Sequence, residues 1–151
     1  MGYTMRYFAA DEGGITLPQI EAALRQINPA YAVVNTDVPD IGDLMFGTLP
    51  LGIIEINRPG DDIFDDDIAE FTDLVGAGDS PGQQRVREVL ANTRAIIAVE
   101  ASWQGAEAEP VLSRLDPLWD WLFAQTAGLL QADNEGFYDG NDLILERRFM
   151  L

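Results

Sequence analysis

Two glutamates stand inside stretches that are otherwise apolar, Glu55 within residues 51–57 and Glu100 within residues 95–102. A pair of carboxylates on neighbouring strands is the equipment of an acid/base site of the kind that hydrolyses glycosidic bonds. The plainer fate of such a carboxylate is to face solvent or to meet an arginine, and Glu55 is expected to pair with Arg58 or Arg94. Residues 61–67 carry a denser acidic run, in which Asp61, Asp62, Asp65 and Asp66 are the metal candidates by residue type. Hard cations need several converging carboxylate oxygens, and calcium loops achieve this by alternate spacing about a central glycine. That spacing is absent and Gly60 precedes the run, so the expectation is a solvated helix N-terminus rather than a metal site.

A second polar group is Tyr138-Asp139-Gly140-Asn141-Asp142. Asp-Gly and Asn tolerate positive φ, so this is the chemistry of a tight turn between strands. It also makes Tyr138, Asp139 and Asp142 candidates for a polar lip with the phenol as donor. Trp103 and Trp121 are candidate interface anchors, since tryptophan is enriched at such positions. Trp119 falls in a helical apolar stripe and is assigned to the core.

The chain has no histidine, no cysteine and no lysine; all nine basic residues are arginine. That removes the commonest general base, the thiol nucleophile, the Schiff-base amine and the usual transition-metal ligands. Serines 80, 102 and 113 lie in no nucleophile elbow, and neither a phosphate-binding loop nor a basic aromatic patch for nucleic acid is present. No catalytic residue and no cofactor is therefore assigned. The formal charge of −17 repels nucleic acid and anionic lipid and attracts basic proteins. Arginine in place of every lysine is also what a GC-rich or salt-adapted proteome produces, and acidity can serve solubility alone.

Length fits one domain, residues 1–151, able to bury a core without disulfides. Residues 1–6 show no basic region followed by an apolar run, so no signal peptide is expected, and no stretch approaches a membrane span. A cytoplasmic protein is the expectation. Residues 3–9 alternate as a strand and Asp11-Glu12-Gly13-Gly14 breaks it. Thr16, Pro18 and Gln19 form a helix start with a capping box, and Leu17, Ile20, Ala23, Leu24 and Ile27 lie at helical spacing. Strands are predicted over 31–35, 44–48 and 51–57, the last two as a hairpin around Pro50. A short acidic helix reaches Val75, and a second runs from Ser80-Pro81 to about Asn92 with Val86, Val89 and Leu90 inward. Residues 95–102 read as a buried strand. The longest helix is predicted from Glu109 to about Gln131, kinked or restarted at Pro117 with Asp116 as cap. A final strand or pair of strands takes in Phe137-Tyr138 and residues 143–145. The order β-α-β-β-β-α-α-β-α-β predicts an α+β sandwich. Its sheet should be mixed and mainly antiparallel, with helices packed largely on one face.

This arrangement resembles an uncharacterised bacterial family, domain of unknown function 4261. The likeness lies in the capped first helix, the strand ending Ile54-Glu55-Ile56-Asn57-Arg58-Pro59, the strand entered at Arg94-Ala95-Ile96-Ile97, and Gly136-Phe137-Tyr138. Asp139 stands where the family tends to carry an aromatic residue. The resemblance implies no catalytic residues.

The expected function is that of a non-enzymatic, acidic interaction protein, an immunity- or inhibitor-type module for a basic protein partner, with a homodimer as a further expectation. Two alternatives belong to other classes. One is a small carboxylate-based hydrolase or divalent-cation-dependent enzyme using Glu55, Glu100, Asp61 or Asp65; the other is a nucleic-acid mimic.

Overall fold

A computed structural model describes residues 2–10, 14–103 and 107–148; the break expected at Asp11-Glu12-Gly13 lies outside them. Strand β1 (Gly2–Ala9) runs through the interior, and its side chains alternate between two layers. Tyr7 and Ala9 join one apolar cluster while Phe8 joins another. The remaining elements are α1 (Leu17–Ile27), β2 (Tyr31–Val34), β3 (Ile41–Phe46), β4 (Leu49–Asn57), α2 (Asp62–Val75) and α3 (Pro81–Asn92), then β5 (Ala95–Ser102), α4 (Ala108–Gln125), β6 (Gly128–Ala132), β7 (Gly136–Asp139) and β8 (Asp142–Glu146). They form one eight-stranded sheet in the order β2-β3-β4-β5-β1-β6-β7-β8, antiparallel at every pairing. The α+β sandwich expected from the sequence is the observed class.

The helices divide between both faces instead of gathering on one. Leu17, Ile20 and Leu24 of α1 pack with Val111, Leu115, Leu118 and Leu122 of α4 against Tyr7, Ile54, Ile97 and Val99. Phe64, Phe71 and Val75 of α2 and Val86, Val89 and Leu90 of α3 pack against Phe8, Ile96, Leu129 and Phe137 on the opposite face. The reason lies chiefly in β5, which is apolar on both parities from Ala95 to Val99, and in the end of β1 beside it, where Tyr7 and Ala9 face one layer and Phe8 the other. A strand that is apolar on both parities must be covered on both sides.

Local signals fix several helix starts. Thr16 and Gln19 complete a reciprocal capping box at α1, and Ser80 and Gln83 do the same at α3. Ile27, expected inward, is 59% exposed, because it closes the last turn of α1 just before Asn28-Pro29 redirects the chain into the edge strand β2. Helix α4 runs unbroken through Pro117 and ends at Gln125, six residues before the end expected for it. Residues assigned to its last turn instead form β6, whose five residues are all buried. The segment carries no β-branched residue, so its propensity favours helix; pairing with β1 on one side and β7 on the other overrides it. Pro50 lies within β4 opposite Met45, and the hairpin turn is Gly47-Thr48. Among the described residues no helix is long and apolar enough to cross a membrane.

Candidate functional site: an aromatic and acidic cleft under helix α4

Along α4, Leu112, Asp116, Trp119, Asp120 and Phe123 recur at three- and four-residue spacing, so they share one stripe. That stripe overhangs the sheet where the β1, β6 and β7 side chains of the same layer rise to meet it. A cleft of about 380 Å³ lies between them. Tyr3 of β1 and Tyr138 of β7 form its far wall, and Glu135, in the turn joining β6 to β7, stands at its rim. Leu130 is paired across the sheet with both Tyr7 and Tyr138, which brings the distant chain segments into one register.

The polar groups are organised around Glu135. Its Oε1 accepts from the Tyr138 hydroxyl at 2.6 Å and its Oε2 accepts from the Tyr3 hydroxyl at 3.4 Å. This hydrogen bond, then burial, pushes the Tyr138 hydroxyl up to about 12. Burial first, and Glu135 second, push Tyr3 up to about 12. Both phenols are thus neutral donors throughout the physiological range. Opposite them, Asp116 has its pKa raised, chiefly by burial and then by the carboxylates of Asp120 and Glu109. Among the described residues none of Asp116, Asp120 and Glu135 forms an ion pair with an arginine. Trp119 is 3% exposed, and its indole Nε1–H has no acceptor among those residues. A buried donor without an acceptor typically costs about 1–3 kcal/mol.

No family model matches this chain, no curated protein matches its sequence and no solved structure matches its fold.

Glu55 and Glu100 do come together, on the other face. Glu100 stands opposite Ile53 and Thr4, and Glu55 opposite Ala98, so the two glutamates are diagonal neighbours on β4 and β5. They line a groove of about 270 Å³ together with Arg6 of β1 and with Ile63 and Asp67 of α2. The pairing expected of Glu55 is not formed. Arg58 donates to the Ile15 carbonyl and to Asp40, and Arg94 to the Thr93 carbonyl. Asp67, the last aspartate of the acidic run, turns inward to Arg6 at 3.5 Å. Its pKa is raised by burial, against the lowering influence of Arg6.

Asp61, Asp62, Asp65 and Asp66 stand exposed on the first turns of α2. Asp61 occupies the N-cap position, where it accepts from the Arg58 backbone N–H. The described residues contain no group of three acidic side chains placed to hold a metal ion. Trp103 and Trp121 are half-buried against the α1–α4 core, and Trp103 meets the Tyr3 ring edge-on at 5.8 Å. The turn after Tyr138 splits its residues between layers. Tyr138, Gly140 and Asn141 border the cleft, while Asp139 lies 4.0 Å from Arg85 of α3 and Asp142 is exposed. Asp120 and Glu135 are not singled out by the sequence, where each resembles any solvated acidic residue; Asp116, expected as a helix cap, lies instead within α4, which continues through Pro117.

Proposed function

We propose that this chain is a non-enzymatic interaction protein of the cytoplasm that docks on a basic surface of another protein, as an immunity or inhibitor module does. The observation that carries the reading is the set of carboxylates at the α4 cleft, Asp116, Asp120 and Glu135, without arginine partners among the described residues. On a chain of net charge −17 their repulsion goes uncompensated until an external cation arrives. Aromatic rings beside those carboxylates supply the apolar contact that a purely repulsive surface lacks. The side-chain inventory supports the same reading, since carboxylates, hydroxyls and guanidinium groups serve recognition as readily as reaction. Charge of this density also accelerates encounter with a basic partner, an effect that salt removes.

Retention of protein from an extract of the source cells on the immobilised chain tests the reading. One basic protein held at low salt, and still held after a moderate-salt wash, is the expected result. A graded set of bulk basic proteins released together by modest salt would overturn it. We also propose kinship with domain of unknown function 4261; a structure of a member of that family should share the strand order β2-β3-β4-β5-β1-β6-β7-β8.

A further inference from the structure

Within that docking reading, on which this step rests, we infer that the α4 cleft is a receptor for one arginine side chain of the partner polypeptide. The guanidinium would lie between the aromatic walls of Tyr3, Phe123 and Tyr138, with Asp116 and Asp120 on one side and Glu135 on the other.

The chain already builds this environment for an arginine of its own. Arg6 sits with its Cζ 4.9 Å from the Phe71 ring centroid, donates to Asp133 at 2.8 Å and meets Asp67 at 3.5 Å. Arg114 likewise lies 4.1 Å over the Phe46 ring. The cleft repeats the same elements, rings flanked by carboxylates from two separate elements, with no arginine of this chain paired to them among the described residues. Its volume, about 380 Å³, is at the small end of ligand sites and suits a single long side chain.

Arginine fits better than lysine for a geometric reason. The carboxylates stand on opposite walls, on α4 and on the β6–β7 turn, so one cation must address both at once. A planar guanidinium has five donors in a fixed fork, is weakly hydrated and stacks on aromatic faces, whereas an ammonium is a compact, strongly hydrated point charge. The Trp119 indole lines the cleft with its N–H shut off from solvent, so it reports on occupancy of the cleft without bonding to the occupant.

The three carboxylates do not form a metal site, since no acidic triplet among the described residues has that geometry.

The test is a nuclear magnetic resonance titration of the full chain with N-acetyl-arginine amide, N-acetyl-lysine amide and the neutral isostere N-acetyl-citrulline amide. The arginine amide should give saturable shifts centred on the Trp119 indole N–H and on Tyr138, with the lysine amide at least about fivefold weaker and the citrulline amide silent. The triple variant Asp116→Asn/Asp120→Asn/Glu135→Gln should weaken the arginine amide at least about tenfold. Tyr138→Phe, which leaves every charge in place, should weaken it less. The control Asp62→Asn/Asp65→Asn/Asp66→Asn removes the same number of charges away from the cleft and should leave the affinity unchanged. Shifts absent up to saturating concentrations, equal response to all three amides, or equal losses in the two triple variants would each overturn the assignment. Failure of the docking reading is distinct, because it appears as no retained basic partner for the unaltered chain. A partner retained equally well by the cleft triple variant overturns the arginine receptor and leaves docking intact. A dimer that dissolves on adding the arginine amide would seat a second copy's arginine in the cleft and overturn the assignment to a different partner.

Discussion

The Arg6 guanidinium and the Asp133 carboxylate meet at 2.8 Å with both side chains almost wholly withdrawn from water. Gln131, fully buried, bonds to each of them at 2.8 and 2.9 Å, and Asp67 reaches in from α2. One cation thus ties β1 to the end of β6 and to a helix of the second layer. Replacing Arg6 with methionine keeps most of the packing but leaves two shielded carboxylates without their cation. A loss of about 3–5 kcal/mol is expected in urea unfolding. The deficit should shrink on acidification. Burial already raises the Asp67 pKa and Arg6 opposes that rise, so without Arg6 the native variant binds a proton there more readily than its unfolded chain and recovers stability as pH falls. A deficit independent of pH would contradict this account.

Asp116 and Asp120 stand one helical turn apart with like charge. Burial, and then Asp120, raise the pKa of Asp116, so its ionised form is disfavoured in the folded chain. The sign follows directly. Its stabilising contribution is complete below the unfolded value of about 3.9 and is lost as pH rises through the folded value. At neutral pH the ionised residue therefore costs stability, and Asp116→Asn should raise Tm by about 1 °C, from an i, i+4 repulsion of a few tenths of a kcal/mol. Below about pH 3.5 the gain should vanish. The same variant should weaken arginine binding, which makes Asp116 a residue held for recognition at some expense of stability. Thermal unfolding across pH, with binding measured alongside, checks both halves.

Glu135 is the shared acceptor of two phenols, and its removal should separate their causes. The hydrogen bond to Glu135 is the largest influence on Tyr138, so in Glu135→Gln that hydroxyl should fall from about 12 most of the way toward 10.0. Tyr3 is held up first by burial and should fall less. Tyrosinate absorbance during alkaline titration reads both groups. Equal falls would mean that burial at Tyr3 matters less than its position implies.

Elements with local chemistry were legible before the structure. The capping residues Thr16 and Ser80, the β-branched run of β5 and the alternation of Ile54 and Ile56 against Ile53 and Glu55 each declare their state within a few neighbours. β6 was not legible, because Leu129, Leu130 and Gln131 suit a helix and are held as strand only by partners far away in the chain. The division of helices between faces depends on which parity of β1 each helix finds, a tertiary matter. The cleft mixes the two cases. Tyr138 could be marked as a donor at a turn, and Trp119 as core. Its relation to Glu135 and Tyr3 exists only through sheet pairing, and nothing in a sequence shows that a buried indole N–H lacks an acceptor.

Gly52 decides whether β4 can lie against β5 at all. It adopts φ +147, and a Cβ there would stand 2.2 Å from the Glu100 carbonyl oxygen and 2.9 Å from the Ala101 Cα. Both obstacles are backbone, so no rotamer change relieves them; the strands must part. Gly47, at φ +60 in the β3–β4 turn, meets nothing within 4 Å. Gly47→Ala therefore isolates the conformational cost, about 1–2 kcal/mol. Gly52→Ala adds the clash and the disrupted ladder beside Glu55 and Glu100, for which an overpacking cost of about 1–3 kcal/mol more is expected. Urea unfolding should rank Gly52→Ala well below Gly47→Ala, with amide exchange accelerated along β4 and β5 and unchanged at the α4 cleft. If the two variants proved equally stable, the close approach of Gly52 to Glu100 would not be a constraint on this sheet.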